Sequence, residues 1–166
     1  MKKQMADSIK NFKMPRYVEL PSTGLYLDQI TQYINQAFAP LHGIELTSSM
    51  ISNYVKKGYI EKPEKKLYYA DQIAYLFFIT LAKNVLSMEH INMLCDMQRK
   101  TYSNQVAYDY LCEELENMLF YTFDLKEAIE EVGVTSSDEK KMLRGVIIAV
   151  TQSIYLTTCF NLITEK

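Results

Sequence analysis

Residues 47–69 read TSSMISNYVKKGYIEKPEKKLYY. Thr47 is placed to cap a helix, its hydroxyl accepting one of the free N–H groups of the first turn, and Leu46 with Ile51 can form a hydrophobic staple across that start. Gly58 stops the helix after about ten residues, because glycine enters the left-handed conformation of a C-terminal cap without a Cβ penalty. On a helix of this register Met50, Ile51, Tyr54 and Val55 share an inward side, whereas Ser49, Ser52, Asn53 and Lys56 fall at spacings of three and four and face outward. The outward side offers hydroxyls, an amide and an amine, and no carboxylate.

A helix entering the major groove of DNA needs that set: short side chains permit close approach, Asn can pair bidentately with adenine, and a carboxylate would be repelled by phosphate. The plain alternative is a merely polar helix exterior. The next residues add to the first reading. Tyr59 and Ile60 are apolar anchors, Lys57, Lys62, Lys65 and Lys66 surround a turn at Pro63, and Leu67 and Tyr68 return to the interior. The pattern predicts a small β-hairpin wing whose lysines neutralise phosphates, with Glu61 and Glu64 diluting its charge.

Outward from this stretch the chain reads as helical. Upstream, Ile30, Ile34, Ala37 and Leu41 recur at helical spacing, giving a helix from Leu27 to about Ala39 that Pro40 and Gly43 end. Downstream, Ala70 to about Asn84 carries a broad apolar side, Ser87 caps a further helix with Met88, Ile91, Leu94 and Cys95 inward, and Ser103 to about Thr122 is two-faced. There Ala107, Leu111, Leu115 and Met118 oppose Asp109, Glu113 and Glu116, which read as a solvated face. Ser136 and Glu139 have the spacing of a capping box, opening a final helix that runs to Ile163 and is apolar nearly all round. It has to be covered on several sides, by its own chain or by a second subunit.

Among the 166 residues, 48% hydrophobic content suffices for a core, and only four prolines and five glycines favour helices over a turn-rich β-sandwich. The net charge of -2 is unevenly shared: residues 1–83 hold eleven basic against seven acidic residues, and residues 84–166 hold seven against thirteen. The basic half contains the quoted stretch, which keeps nucleic-acid binding open despite a pI near 5.7.

Cys95, Cys112 and Cys159 are widely spaced and His42 and His90 stand alone, so buried thiols in a reducing cytoplasm are expected rather than disulfides or a metal site. No cofactor motif is present. There is no GxSxG, no phosphate-cradling glycine loop and no HExxH, which argues against an enzyme. Residues 1–18 lack the apolar segment of a secretory signal and read as a flexible basic arm, with Lys2 and Lys3 available to phosphates. Gly145 to Thr164 is free of charge, but its Thr, Ser, Gln and Asn residues and the missing basic closure argue for a buried helix rather than a membrane span.

Met50 to Ile60, an aromatic followed by a short basic segment, Gly and two apolar residues, resembles the recognition helix and turn of MerR-type regulators. Tyr68, Gln72-Ile73, Leu76, Ile79 and the Leu86-Ser87-Met88-Glu89-His90-Ile91 helix start continue the resemblance in register. More narrowly, ELPSTGLYLDQIT, the quoted stretch and the helix after it look like the bacterial family catalogued as domain of unknown function 1836, found in low-GC Gram-positive bacteria. Ser52 stands where the MerR recognition helix usually has arginine, and the connection between the first two helices is longer than the usual tight turn.

The resemblance implies an all-α fold with a small β-hairpin wing: a winged helix-turn-helix domain over residues 19–101, then a helical bundle over 102–166 for dimerisation and effector sensing. It implies a cytoplasmic homodimeric transcriptional regulator binding duplex DNA through Ser49, Ser52, Asn53, Lys56, Lys57, Lys62, Lys65 and Lys66. Tyr102, Tyr108, Tyr110, Phe120, Tyr121 and Phe123 are either core or the lining of a pocket for a small-molecule effector. The competing reading is a non-enzymatic protein-interaction module that keeps the winged-helix shape without touching DNA.

Overall fold

The computed structural model describes residues 1–133 and 137–165. Among these residues it is all-helical: α1 Lys2–Ile9, α2 Leu27–Ala37, α3 Ser48–Lys56, α4 Ala70–Ala82, α5 Met88–Thr101, α6 Asn104–Thr122 and α7 Asp138–Thr164, with a short 3-10 turn at Tyr17–Glu19. Local capping chemistry sets several of the starts. Thr47 Oγ1 accepts the Met50 N–H at 3.1 Å, Ser87 Oγ that of His90 at 3.2 Å, and Ser103 Oγ that of Val106 at 3.3 Å. The final helix is capped by Ser137, which accepts from Lys140 N; Ser136, the expected cap, lies outside the described residues.

The core is built on α4 and α6. Phe77 of α4 is fully buried, its ring centroid 5.3 Å from Phe38, 6.0 Å from Tyr33 and 5.9 Å from Tyr108 of α6. Thr80 is buried beside it with its hydroxyl donated to the Leu76 carbonyl at 2.6 Å, so its polar atom is satisfied. One continuous apolar cluster takes residues from every helix and from both sides of position 101, so residues 102–165 pack on the preceding helices.

The β-hairpin wing does not form. Glu64 and Leu67 exchange two backbone hydrogen bonds, at 3.0 and 2.9 Å, and Leu25 and Tyr68 exchange another pair, but these are two isolated bridges and no strand. Pro63 has no N–H to extend a ladder on one side, and the Glu61 and Lys62 carbonyls are taken by the Gln72 amide of α4, at 3.0 and 3.2 Å. On the other side Tyr68 has already turned to Leu25.

Two further expectations change. The N-terminal segment is folded against the body rather than a flexible arm: Met5, Ile9, Phe12 and Met14 are all buried, and α1 packs on α6. Lys2, expected to reach phosphates, pairs with Asp124 at 3.3 Å. The acids of α6 are in part not solvated. Glu116 holds the Arg16 guanidinium, Asp109 accepts the Tyr17 N–H at 2.8 Å, and Glu114 is 1% exposed beside Arg144. The hydrogen bond that Arg16 donates to Glu116 raises the Arg16 pKa above its ordinary value, and Arg16 also donates to the Met14 carbonyl at 3.2 Å.

Candidate nucleic-acid interface

Helix α3 is held from beneath and at both ends. Ile51 and Tyr54 are buried under it, Ser48 Oγ donates to Asp28 Oδ1 of α2 at 3.0 Å, and the Ser48 and Thr31 hydroxyls lie 3.0 Å apart. The long connection from α2 is closed by Asn35, whose amide donates to the Leu46 carbonyl at 2.7 Å and whose oxygen accepts the Leu46 N–H at 2.9 Å. That pairing occupies both polar groups of a buried backbone unit just before the Thr47 cap. At the far end Gly58 has φ of 79°. Its N–H bonds the Val55 carbonyl and the Tyr59 N–H bonds the Tyr54 carbonyl, at 3.1 and 2.9 Å, which is a Schellman cap. The chain therefore leaves α3 in a fixed direction toward the lysine-rich turn.

With the helix so fixed, Ser49, Ser52, Asn53, Lys56, Lys57, Lys62, Lys65 and Lys66 are all exposed. None of these five lysines forms an ion pair among the described residues. Met50, expected inward, is 36% exposed, and the Lys83 ammonium lies 3.1 Å from its sulfur while donating to the Glu45 carbonyl. Desolvation lowers the Lys83 pKa. Sequence reasoning missed this lysine because it lies at the end of α4 and reaches the α3 edge only through the fold.

The turn itself carries backbone strain. Lys65 and Lys66 have φ of 49° and 67°, the mirror-image turn geometry for which Asn-Gly is the preferred pair. A residue with a Cβ pays on the order of 1 kcal/mol for such a conformation. Two adjacent lysines there cost stability and contribute nothing to the core, since both side chains are exposed. The turn is seated by the Leu25–Tyr68 bridge and by Gly24, whose φ is 77° and whose absent Cβ would meet Leu67 and the Tyr69 ring at 3.1 Å.

A second concavity lies among α4, α5, α6 and the start of α7. It is a mainly apolar cleft of about 90 Å³ walled by Tyr75, Phe78, Leu94, Tyr102 and Tyr110, among others. The Lys140 ammonium sits over the Tyr102 and Tyr110 rings at 5.8 and 5.2 Å. Of the aromatic set expected to be core or pocket, Tyr108 and Phe123 are buried and Tyr102 and Tyr110 line this cleft. Cys95 is in its wall, where burial pushes the thiol up to about 11, and burial pushes Cys112 up to about 12, so both stay protonated at neutral pH. Among the described residues no group of three or more His, Cys, Asp or Glu side chains is placed to hold a metal.

No curated protein and no solved structure matches the chain. Residues 15–117, more than half of the sequence and all of the ledge formed by α3 and its turn, match the family described as Domain of unknown function (DUF1836), and the chain belongs to that family.

Proposed function

We propose that the chain is a non-enzymatic, cytoplasmic regulator that binds duplex DNA, laying the Ser49, Ser52, Asn53 and Lys56 side of α3 toward the groove while Lys57, Lys62, Lys65 and Lys66 neutralise backbone phosphates. The observation that carries it is the ledge: eight exposed side chains on one helix and the turn it feeds, with no carboxylate on the helix side and five lysines that form no ion pair among the described residues. The resemblance of residues 50–60 to the recognition helix of MerR-type regulators supports the same assignment. A small-molecule effector would find its space in the cleft beside Tyr102 and Tyr110.

The test is a salt titration. If about four lysines per chain displace counterions, the slope of log affinity against log salt is about -3.5 per bound chain. Changing Lys65→Glu and Lys66→Glu together is expected to flatten that slope by about two and weaken binding at least tenfold at low salt. A slope near zero on DNA from the protein's own promoter overturns the proposal. The second reading, a protein-docking module, draws on exposed Glu61 and Glu64 within the same turn; it is the outcome if the lysine changes leave cellular function intact.

A further inference from the structure

Helix α7 is covered on one side only. Val146, Ile147, Val150, Thr151, Ile154 and Thr158 are buried against the rest of the chain. On the opposite side Met142 is 46% exposed, Ile148 43%, Leu156 52%, Phe160 63% and Ile163 57%. No Asp, Glu, Lys or Arg interrupts the helix from Gly145 to Thr164, which gives it the length and composition of a membrane span, although a third of its apolar window is buried inside the fold. An uncharged apolar side this long is costly in water.

We infer that this side is the surface through which two copies of the chain pair, α7 against α7 in antiparallel orientation about a two-fold axis between Gln152 and Ser153. The sequence along the exposed side is complementary to itself when reversed. That axis sets Gly145 opposite the partner's Phe160, Ala149 opposite the partner's Leu156, and Met142 opposite the partner's Ile163. Phe160 and Leu156 thus each face a small residue across the seam, and Met142 meets Ile163 at its two ends, contacts that the two-fold repeats as an isologous interface requires. Nothing lies within 4 Å of where a Gly145 Cβ would be, so the hollow for Phe160 is open. Gln152 and Ser153 put the polar pair at the axis, where a mismatch in register would strand it against apolar side chains.

The area is adequate. Five large side chains exposing on the order of 100 Å² each give about 500 Å² per copy, and the smaller residues between them bring the total toward the ~800 Å² per partner of a stable interface. The stripe from Met142 to Ile163 is about 30 Å long, enough to seat a full helix pair.

Sedimentation equilibrium on the full chain is expected to show a dimer at micromolar concentration. Leu156→Glu and Phe160→Glu, both at exposed positions, are each expected to give a monomer with unchanged helical circular dichroism. Gly145→Leu fills the hollow without meeting the chain's own atoms and is expected to weaken self-association at least tenfold. In a Cys159→Ala background, an Ala149→Cys chain mixed with a Leu156→Cys chain is expected to oxidise to the mixed disulfide. Homodisulfides in preference, a monomer at all concentrations, or partition of the wild-type chain into phosphatidylcholine vesicles instead of dimerisation would overturn the inference. None of these readouts involves DNA, so its failure and that of the DNA reading are distinguishable.

Discussion

Glu114 is a buried carboxyl with one oxygen left without a hydrogen bond. It is 1% exposed, its Oε1 lies 3.1 Å from Arg144 Nε without hydrogen-bond alignment, and Arg144 remains 38% exposed. Burial raises its pKa and Arg144 opposes the rise only in part. A carboxyl whose folded pKa exceeds the unfolded one takes up a proton on folding, so its contribution is fully present below the unfolded pKa and is lost as pH rises through the folded one. Glu114→Gln removes that dependence. Urea unfolding at pH 7 and pH 5 is expected to show the variant losing stability relative to wild type at the lower pH, with little change in slope. Equal differences at the two pH values would mean that Glu114 stays ionised in the fold. The misreading of α6 belongs at this scale too. Glu116 and Asp109 look solvated by helical spacing, but Arg16 and Tyr17, which hold them, come from about ninety to a hundred residues earlier.

At the scale of elements, what was local was legible. Thr47 and Ser87 cap the helices they were expected to cap, Ser103 caps the helix expected to begin at it, and Gly58 ends α3, because capping depends on residues within four positions of the helix end. The wing was not legible, since a strand needs a partner and Tyr68 finds Leu25 from far upstream. Asn35 is the hinge on which the ledge depends, and no motif announces it. Asn35→Ala would leave the N–H and carbonyl of buried Leu46 unsatisfied, at about 2 kcal/mol. The expected result is a stability loss of that size together with weaker DNA binding, although Asn35 is only partly exposed and lies beneath the ledge. Asn35→Asp retains the acceptor for Leu46 N–H and should recover part of the stability. Loss of stability with an unchanged salt slope would show that α3 keeps its orientation without this clamp.

For the whole molecule, the exposure of Ser49, Ser52, Asn53 and Lys56 was legible from helix geometry and that of the four further lysines from the turn at Pro63, whereas the body they stand on depends on the N-terminus in a way the charge pattern hides. Met5, Ile9 and Phe12 do recur at helical spacing, the signal that the basic residues around them obscured. They and Met14 are each no more than 4% exposed, and Tyr108 of α6 donates its hydroxyl to the Pro15 carbonyl at 2.7 Å. Deleting residues 1–13 therefore opens α6 to water on the side α1 covers. Removing three buried side chains at about 1.5–3 kcal/mol each amounts to a sizeable share of a small domain's total stability. Thermal unfolding of the truncated chain is expected to occur at least about 10 °C lower, because the remaining bonds of Pro15, Arg16 and Tyr17 to α6 do not replace the lost apolar burial. The same truncation leaves α3 and its turn untouched, so at temperatures where it still folds, DNA affinity and salt slope should match the full chain. A truncated protein as stable as the full chain would show that α1 is appended to the fold, and that the core is complete without it.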